Sequence, residues 1–486
     1  MDTKQFAESR GLCRRTFLKG TGAAVAAVVL AACSQATPKT PAEPQPTAEA
    51  ATVQPITEPT APPVAATTEV VEIEFWNPMS SPANKEIMPK VFDDFMAEYP
   101  HIKVEYELSG GPPGGGDFIE VLLSRVAGGN PPDAAMLWSP AKQFAVKGAL
   151  YPLDDFMANA KYGGKDKWLP WVLSSCMWKG AVYALPTSAA NGAMFMNTAL
   201  FENKGQSTKR EEFPKTWDEL KDLAATFNEW EGDVLKVTGY VPWATGWTRP
   251  VWSQLNGGRW FDGAANKYVL DSEQNREWLN YMVGWLDEQF KGDVEKVNQS
   301  ATFEGIWNGT AYYQGIEAMC DDGSWALTND VPEEFHFEVA RYPVGPSGSK
   351  SVTPWYPNWE VVLKGAKHPQ EAFLFQEYFC TIGWLRWYEE GCPEMPAWTD
   401  ADVSNRTNKK LISLVGEERA KEVESFFLTY LREAGMEMWT SPIESYAADV
   451  IGSAIDEVLH KTKKPAEALA NAQQLCQTKL DEVLAS

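Results

Sequence analysis

Histidine is scarce in this 486-residue chain: His101, His336, His368 and His460 are all there are, and they lie far apart. The seven cysteines form no Cys-x-x-Cys pair, and no His-Glu-x-x-His run occurs, so a local zinc site is not encoded. No Gly-x-Ser-x-Gly elbow is present, which removes the commonest local sign of a serine hydrolase. Basic residues are outnumbered, 43 Lys+Arg against 66 Asp+Glu, giving a formal net charge of −23. A body so acidic lacks the cationic footprint that nucleic acid requires, and anionic lipid repels it. A membrane-spanning helix needs about 20 apolar residues; the longest run, Thr21 to Ala32, has twelve.

That run belongs to an address. Arg14-Arg15-Thr16-Phe17-Leu18-Lys19 precedes it and resembles a twin-arginine export signal. It ends in Leu30-Ala31-Ala32-Cys33, which looks like a bacterial lipobox. Residues 1–33 are therefore expected to be a lipoprotein signal, with Cys33 lipidated at the mature N-terminus. Residues 34–70 hold eight Pro, eight Thr and eight Ala without one aromatic residue. Such a segment buries too little apolar surface to offset its ordering entropy, and its prolines favour extended backbone. It reads as a disordered tether of up to about 100 Å, at ~3.1 Å per residue.

From residue 71 the pattern becomes globular. Val71-Glu72-Ile73-Glu74-Phe75 alternates with period two, as a half-buried strand does. Ile87, Val91 and Phe95 then share a helical face, and Ile102, Val104, Tyr106 and Leu108 alternate again. A second helix carries Ile119, Leu122, Leu123 and Val126, and Gly128-Gly129 stops it. Ala134–Trp138 is a short apolar run suited to a strand covered on both faces. The order strand–helix–strand–helix–strand argues for a parallel α/β sheet. Further on, Thr216-Trp217-Asp218-Glu219 is a capping box. Helical spacing from Ile443, and Pro465 in a first turn, give a helical C-terminus.

No chemistry stands out in the remaining motifs. The Gly110–Gly116 loop lacks the Lys-Ser/Thr of a phosphate loop, and Pro112 and Pro113 remove amide donors. Asp154-Asp155, Asp321-Asp322 and Glu389-Glu390 are adjacent acids whose side chains diverge, so adjacency makes no catalytic dyad. Cys176, Cys320, Cys380, Cys392 and Cys476 leave at least one thiol unpaired, and the sequence leaves any disulfide open. Tryptophan is unusually abundant, at 21 residues.

Several segments in order resemble the sugar-binding class of extracellular solute-binding proteins of bacterial ABC importers, related to maltose-binding protein. They are Gly128–Asp133, Lys147–Asp154, Gly180–Pro186, Phe195–Phe201, Pro214–Leu220, Ala318–Trp325 and Pro343–Gly348, and the resemblance spans about 71–486. Cys320 and the Asp321-Asp322 pair depart from it, where small or polar residues are more usual. The resemblance implies an α/β fold of two discontinuous lobes with a ligand cleft between them. Lobe one is expected at 71–187 plus 343–383, lobe two at 188–342 plus 384–486. It further implies a monomeric, non-catalytic receptor without cofactor or metal. Such a receptor closes its lobes on a carbohydrate and delivers it to ABC permease subunits at the extracytoplasmic membrane face. Receptors for another solute, such as an oligopeptide or glycerol phosphodiester, and a glycoside hydrolase are the competing readings.

Tryptophans suit a sugar cleft, because a flat ring stacks on the C–H face of a pyranose while polar groups read its rim. Trp76, with Asn77, and Trp138 follow strands at ends where open α/β sheets place ligand. By the resemblance, Trp325 in Gly-Ser-Trp holds a stacking position, and Trp439 another. Trp243, Trp247, Trp252 and Trp260 crowd one polar stretch of lobe two, and Trp355 and Trp359 flank the return to lobe one. All are candidate ligand residues. Trp217, Trp278 and Trp285 lie in apparent helices and are expected to be structural.

Overall fold

A computed structural model describes residues 69–108, 118–298, 310–328, 331–332, 335–436 and 439–485. Cys33, the signal and nearly all of the tether lie outside the described residues. Two sheets are built, in chain order, from β1 (Val71–Asn77), β2 (Ile102–Leu108), β3 (Ala134–Leu137), β4 (Leu185–Pro186), β5 (Ala190–Asn197), β6 (Met319–Gly323), β7 (Phe337–Ala340), β8 (Trp355–Tyr356) and β9 (Trp359–Val362). The first sheet has the order β2-β1-β3-β9-β4. β1 runs parallel to β2 and β3, with Phe75 beside Ala134. β9 is antiparallel to β3, Trp359 opposite Leu137, so the sheet is mixed where the early pattern implied a parallel one. The second sheet, β6-β5-β7 with β8 against the start of β5, is wholly antiparallel.

The expected elements form for the expected reasons. β3 is buried along its whole length. Asp133, just before it, accepts from the backbone N–H groups of Glu74 and His368 at 3.0 and 2.9 Å, so one carboxylate ties β1 to the helix Pro369–Tyr378. Thr216 caps the helix Trp217–Ala225: its hydroxyl accepts from Glu219 N–H while the Glu219 carboxylate accepts from Thr216 N–H. That helix seats Trp217 and Leu220 in the second core. The helices Glu444–Leu459 and Pro465–Ala485 complete the same lobe.

Each sheet has its own hydrophobic core, which gives two lobes. The first core contains Ile73, Phe75, Met136 and Val361; the second contains Met194, Trp217, Trp252 and Ile451. The chain passes between lobes along β4–β5, returns along β8–β9, and leaves again after Ala397. Val352 still belongs to the second core, while Trp384, Trp387, Cys392 and Ala397 belong to the first. The five described cysteines are all buried, and none is in a disulfide. No described helix is long and apolar enough to cross a membrane.

Candidate ligand-binding site

The crossing strands leave the first sheet at the edge where β1 and β3 end, so both lobes present side chains there. Asn77, at the end of β1, is buried; its Oδ1 accepts from Met79 N–H at 2.9 Å and its Nδ2 is unpartnered. Trp138 follows β3 with 60% of its surface exposed. Burying that indole would be favourable, so leaving it open keeps a flat apolar face available.

The second lobe contributes Asp322-Gly323-Ser324-Trp325, at the hinge end of β6. Gly323 pairs with Gly192 of β5, and glycine is required there: a Cβ would come 2.3 Å from the Trp325 ring. The indole folds back over that glycine. The Asp322 carboxylate accepts from Gly323 N–H at 2.7 Å, beside the Trp325 side chain. Tyr356 of β8 meets Trp325 edge-on, with ring centroids 5.7 Å apart. The Ser188 hydroxyl on the first crossing lies 3.4 Å from both the Tyr356 carbonyl and the Glu394 carboxylate. Trp325, Tyr356, Ser188 and Glu394 thus join the second lobe to all three crossing segments.

The facing edges of the two lobes are acidic and poorly solvated. Burial, with the neighbouring Asp321 charge, pushes Asp322 up to about 7 against the Gly323 N–H bond. Burial likewise raises Glu394 to about 7 and Glu444 to about 8. Lys142, the cation beside Glu444, is itself lowered by burial. Its Nζ donates to Thr440 Oγ1 at 2.8 Å, and Ser445 N–H donates to Gln143 Oε1 at 3.0 Å, so the segment after β3 is tied to the start of the helix Glu444–Leu459. Among the described residues, no group of three or more His, Cys, Asp or Glu could hold a metal ion.

The other tryptophan candidates divide. Trp76 is 3% exposed: its Nε1 donates to Glu74, Phe118 lies against its edge, and the Arg125 guanidinium sits 5.1 Å from the ring. Arg125 also bonds both Glu74 oxygens, at 2.8 and 3.0 Å, so that ring has no face for ligand and the expectation is corrected. Trp252 is fully buried between Trp217 and Tyr240, and Trp243 packs edge-on to Phe290. Trp359 is buried and donates to Ser175 Oγ. These three are core residues too. Trp260 is buried against Trp278 and Trp439, leaving Trp439 itself half-buried. The Trp247 side chain lies outside the described residues.

Trp355 takes a different position. Successive strand residues face opposite ways, so while Tyr356 meets Trp325, Trp355 turns to the other side. There its Nε1 donates to Met436 O at 2.7 Å and its ring meets Trp171 edge-on at 4.7 Å. That side opens into a cavity of about 980 Å³ walled by both lobes. Tyr356 and Glu394 are the site residues missed in the sequence. Only Tyr356 carried a signal, its place in Trp-Tyr-Pro-Asn-Trp.

Solved structures share this fold. An ABC substrate-binding protein from Listeria monocytogenes in complex with cycloalternan is 19% identical with a TM-score of 0.69, covering 85% of this chain and 100% of its own. The GacH receptor of Streptomyces glaucescens, solved unliganded and with acarbose, is 22% identical (TM-score 0.66; 85% and 99% covered). The maltose/maltodextrin-binding domain from Bdellovibrio bacteriovorus, bound to maltotriose, is 16% identical (TM-score 0.63; 85% and 100%). No curated protein matches the sequence significantly. The model of the bacterial extracellular solute-binding protein family matches residues 80–381, more than half of the chain. With two lobes, three crossings and a crevice between them, the chain belongs to the bacterial extracellular solute-binding proteins.

Proposed function

We infer that the protein is a lipid-anchored, extracytoplasmic, non-catalytic receptor that binds an oligosaccharide between its lobes and delivers it to an ABC permease. The observation that carries this reading is Trp325, an indole folded over Gly323 and set beside Tyr356 where the lobes meet. An oriented aromatic face with carboxylates nearby matches a sugar ring, which offers C–H bonds on its face and hydroxyl donors on its rim. Saccharides in the solved relatives support the same ligand class. Trp138 supplies the opposing face from lobe one, and closure of the two lobes brings them together. Cys33 carries the lipid, and the proline-rich segment after it gives the body its reach.

A thermal-shift screen over mono- and oligosaccharides tests the ligand class: a saccharide should raise the melting temperature, because binding to the folded state alone stabilises it. Turnover of an oligosaccharide that disappears in Asp322→Asn would move the reading to a glycoside hydrolase. Cys33→Ala should release the protein from the membrane fraction, and unchanged partitioning into detergent would remove the anchor.

A further inference from the structure

We propose that the cavity on the Trp355 side of the crossing strand is a second carbohydrate-binding site, separate from the Trp325 crevice, which takes a neutral saccharide of a few rings. The proposal rests on the reading of the protein as a saccharide receptor.

Separation follows from strand geometry. Trp355 and Tyr356 are consecutive in β8, so the strand divides what they face. Tyr356 meets Trp325, whereas Trp355 meets Trp171 and is pinned by its bond to Met436 O. A ligand in the cavity therefore touches neither Trp325 nor Tyr356.

The wall chemistry selects the ligand. Trp171 is 39% exposed, and among the described tryptophans only it and Trp138 are exposed. It lines the cavity with Trp355, Trp398 and Phe261. At about 980 Å³ the space lies at the upper end of the ~300–1,000 Å³ usual for small-molecule sites, which suits several rings. The charged groups of the rim cancel, Lys142 and Arg432 against Asp402 and Glu433, so no strongly charged ligand is favoured. Hydroxyls of Thr399, Ser404 and Thr440 lie among them. Indole faces combined with a charge-balanced rim that carries hydroxyls fit a pyranose better than an anion, or than a lipid tail, which would cut the rim groups off from water. Leu169 packs on the core of lobe one and Phe261 belongs to that of lobe two, and both line the cavity, so its occupant touches both lobes.

Calorimetric titration with maltotriose, mannotriose and cellotriose tests this on the wild type, Trp171→Ala, Trp171→Phe and Trp325→Ala. The wild type should bind a saccharide in two classes of site. Trp171→Ala should weaken the second class at least tenfold and leave the first unchanged, Trp171→Phe should restore most of the loss, and Trp325→Ala should do the reverse of Trp171→Ala. A single site lost in Trp325→Ala and untouched in Trp171→Ala would overturn this proposal alone. No saccharide binding in any protein, with melting curves showing it folded, would overturn the receptor reading as well. A single site lost only in Trp171→Ala would overturn the assignment of Trp325 and the claim of two sites.

Discussion

The tryptophans inside lobe two and those along the facing edges of the lobes are the same residue put to opposite uses. Trp217, Trp252 and Trp285 are all but inaccessible, packed with Tyr240 and Tyr281 into one aromatic mass, and Trp278 is buried against Trp260. An indole buries about 150–250 Å², worth roughly 4–6 kcal/mol at ~25 cal/mol per Å² before entropy is counted. The indole N–H groups of Trp252, Trp278 and Trp285 find no partner, and a buried unpaired donor costs about 1–3 kcal/mol. Area outweighs that loss, so these rings hold the lobe together. At the edges the balance is reversed: Trp138 and Trp171 are exposed and Trp325 and Trp439 are only partly covered. Tryptophan density therefore marks packing in one region and access in the other. What decides between them is whether a second element covers the ring.

That contrast can be broken most violently in the interior. Trp252→Ala should lose about 3–5 kcal/mol of stability, the range for emptying a buried aromatic site, in denaturant unfolding, while the remaining folded molecules bind ligand as the wild type does. At the edge, Trp325→Ala should weaken saccharide binding at least tenfold, about 1.4 kcal/mol, and leave the melting temperature nearly unchanged. Between them stands the cap beneath Trp217: Thr216→Ala removes the acceptor for Glu219 N–H and should cost about 1 kcal/mol of stability without altering affinity.

A gentler test uses pH. Asp322, Glu394 and Glu444 are raised to about 7, 7 and 8, mainly by burial, whereas in the unfolded chain such groups ionise near 4. The folded state thus holds more protons between these values, and stability falls with pH wherever that is true. The contribution of the three acids is fully present below about pH 4 and is lost as pH rises through 7 to 8. Melting curves at pH 5 and pH 8.5 should show the decline, and Glu444→Gln should flatten part of it. The interior tryptophans, which do not titrate, add nothing to this slope.

The sequence disclosed those parts of the fold that are set locally. Alternation placed β1 and β2, Thr216 and Glu219 announced a helix start, and Pro465 opened the last helix. Pairings between distant segments were not legible. β9 lies against β3 because two crossings bring it there, and no local pattern records its antiparallel direction. Trp384 and Trp387 carry ordinary helical spacing, which cannot say which lobe's core they enter. At the site, Trp325 could be singled out because Gly-Ser-Trp is a recognisable motif, but Trp76 could not be excluded. Its ring is occupied by Arg125 and Phe118, which come from the helix Phe118–Ala127 beyond β2. Glu394 was invisible because only the third crossing brings it to Ser188.

The most direct test of the central claim is calorimetric titration of an oligosaccharide into Trp325→Ala and Trp252→Ala, each accompanied by a melting curve. Trp325→Ala should melt like the wild type and bind at least tenfold more weakly, while Trp252→Ala should melt early and bind normally when folded. Wild-type affinity in Trp325→Ala, or no saccharide binding by the wild type itself, would contradict it.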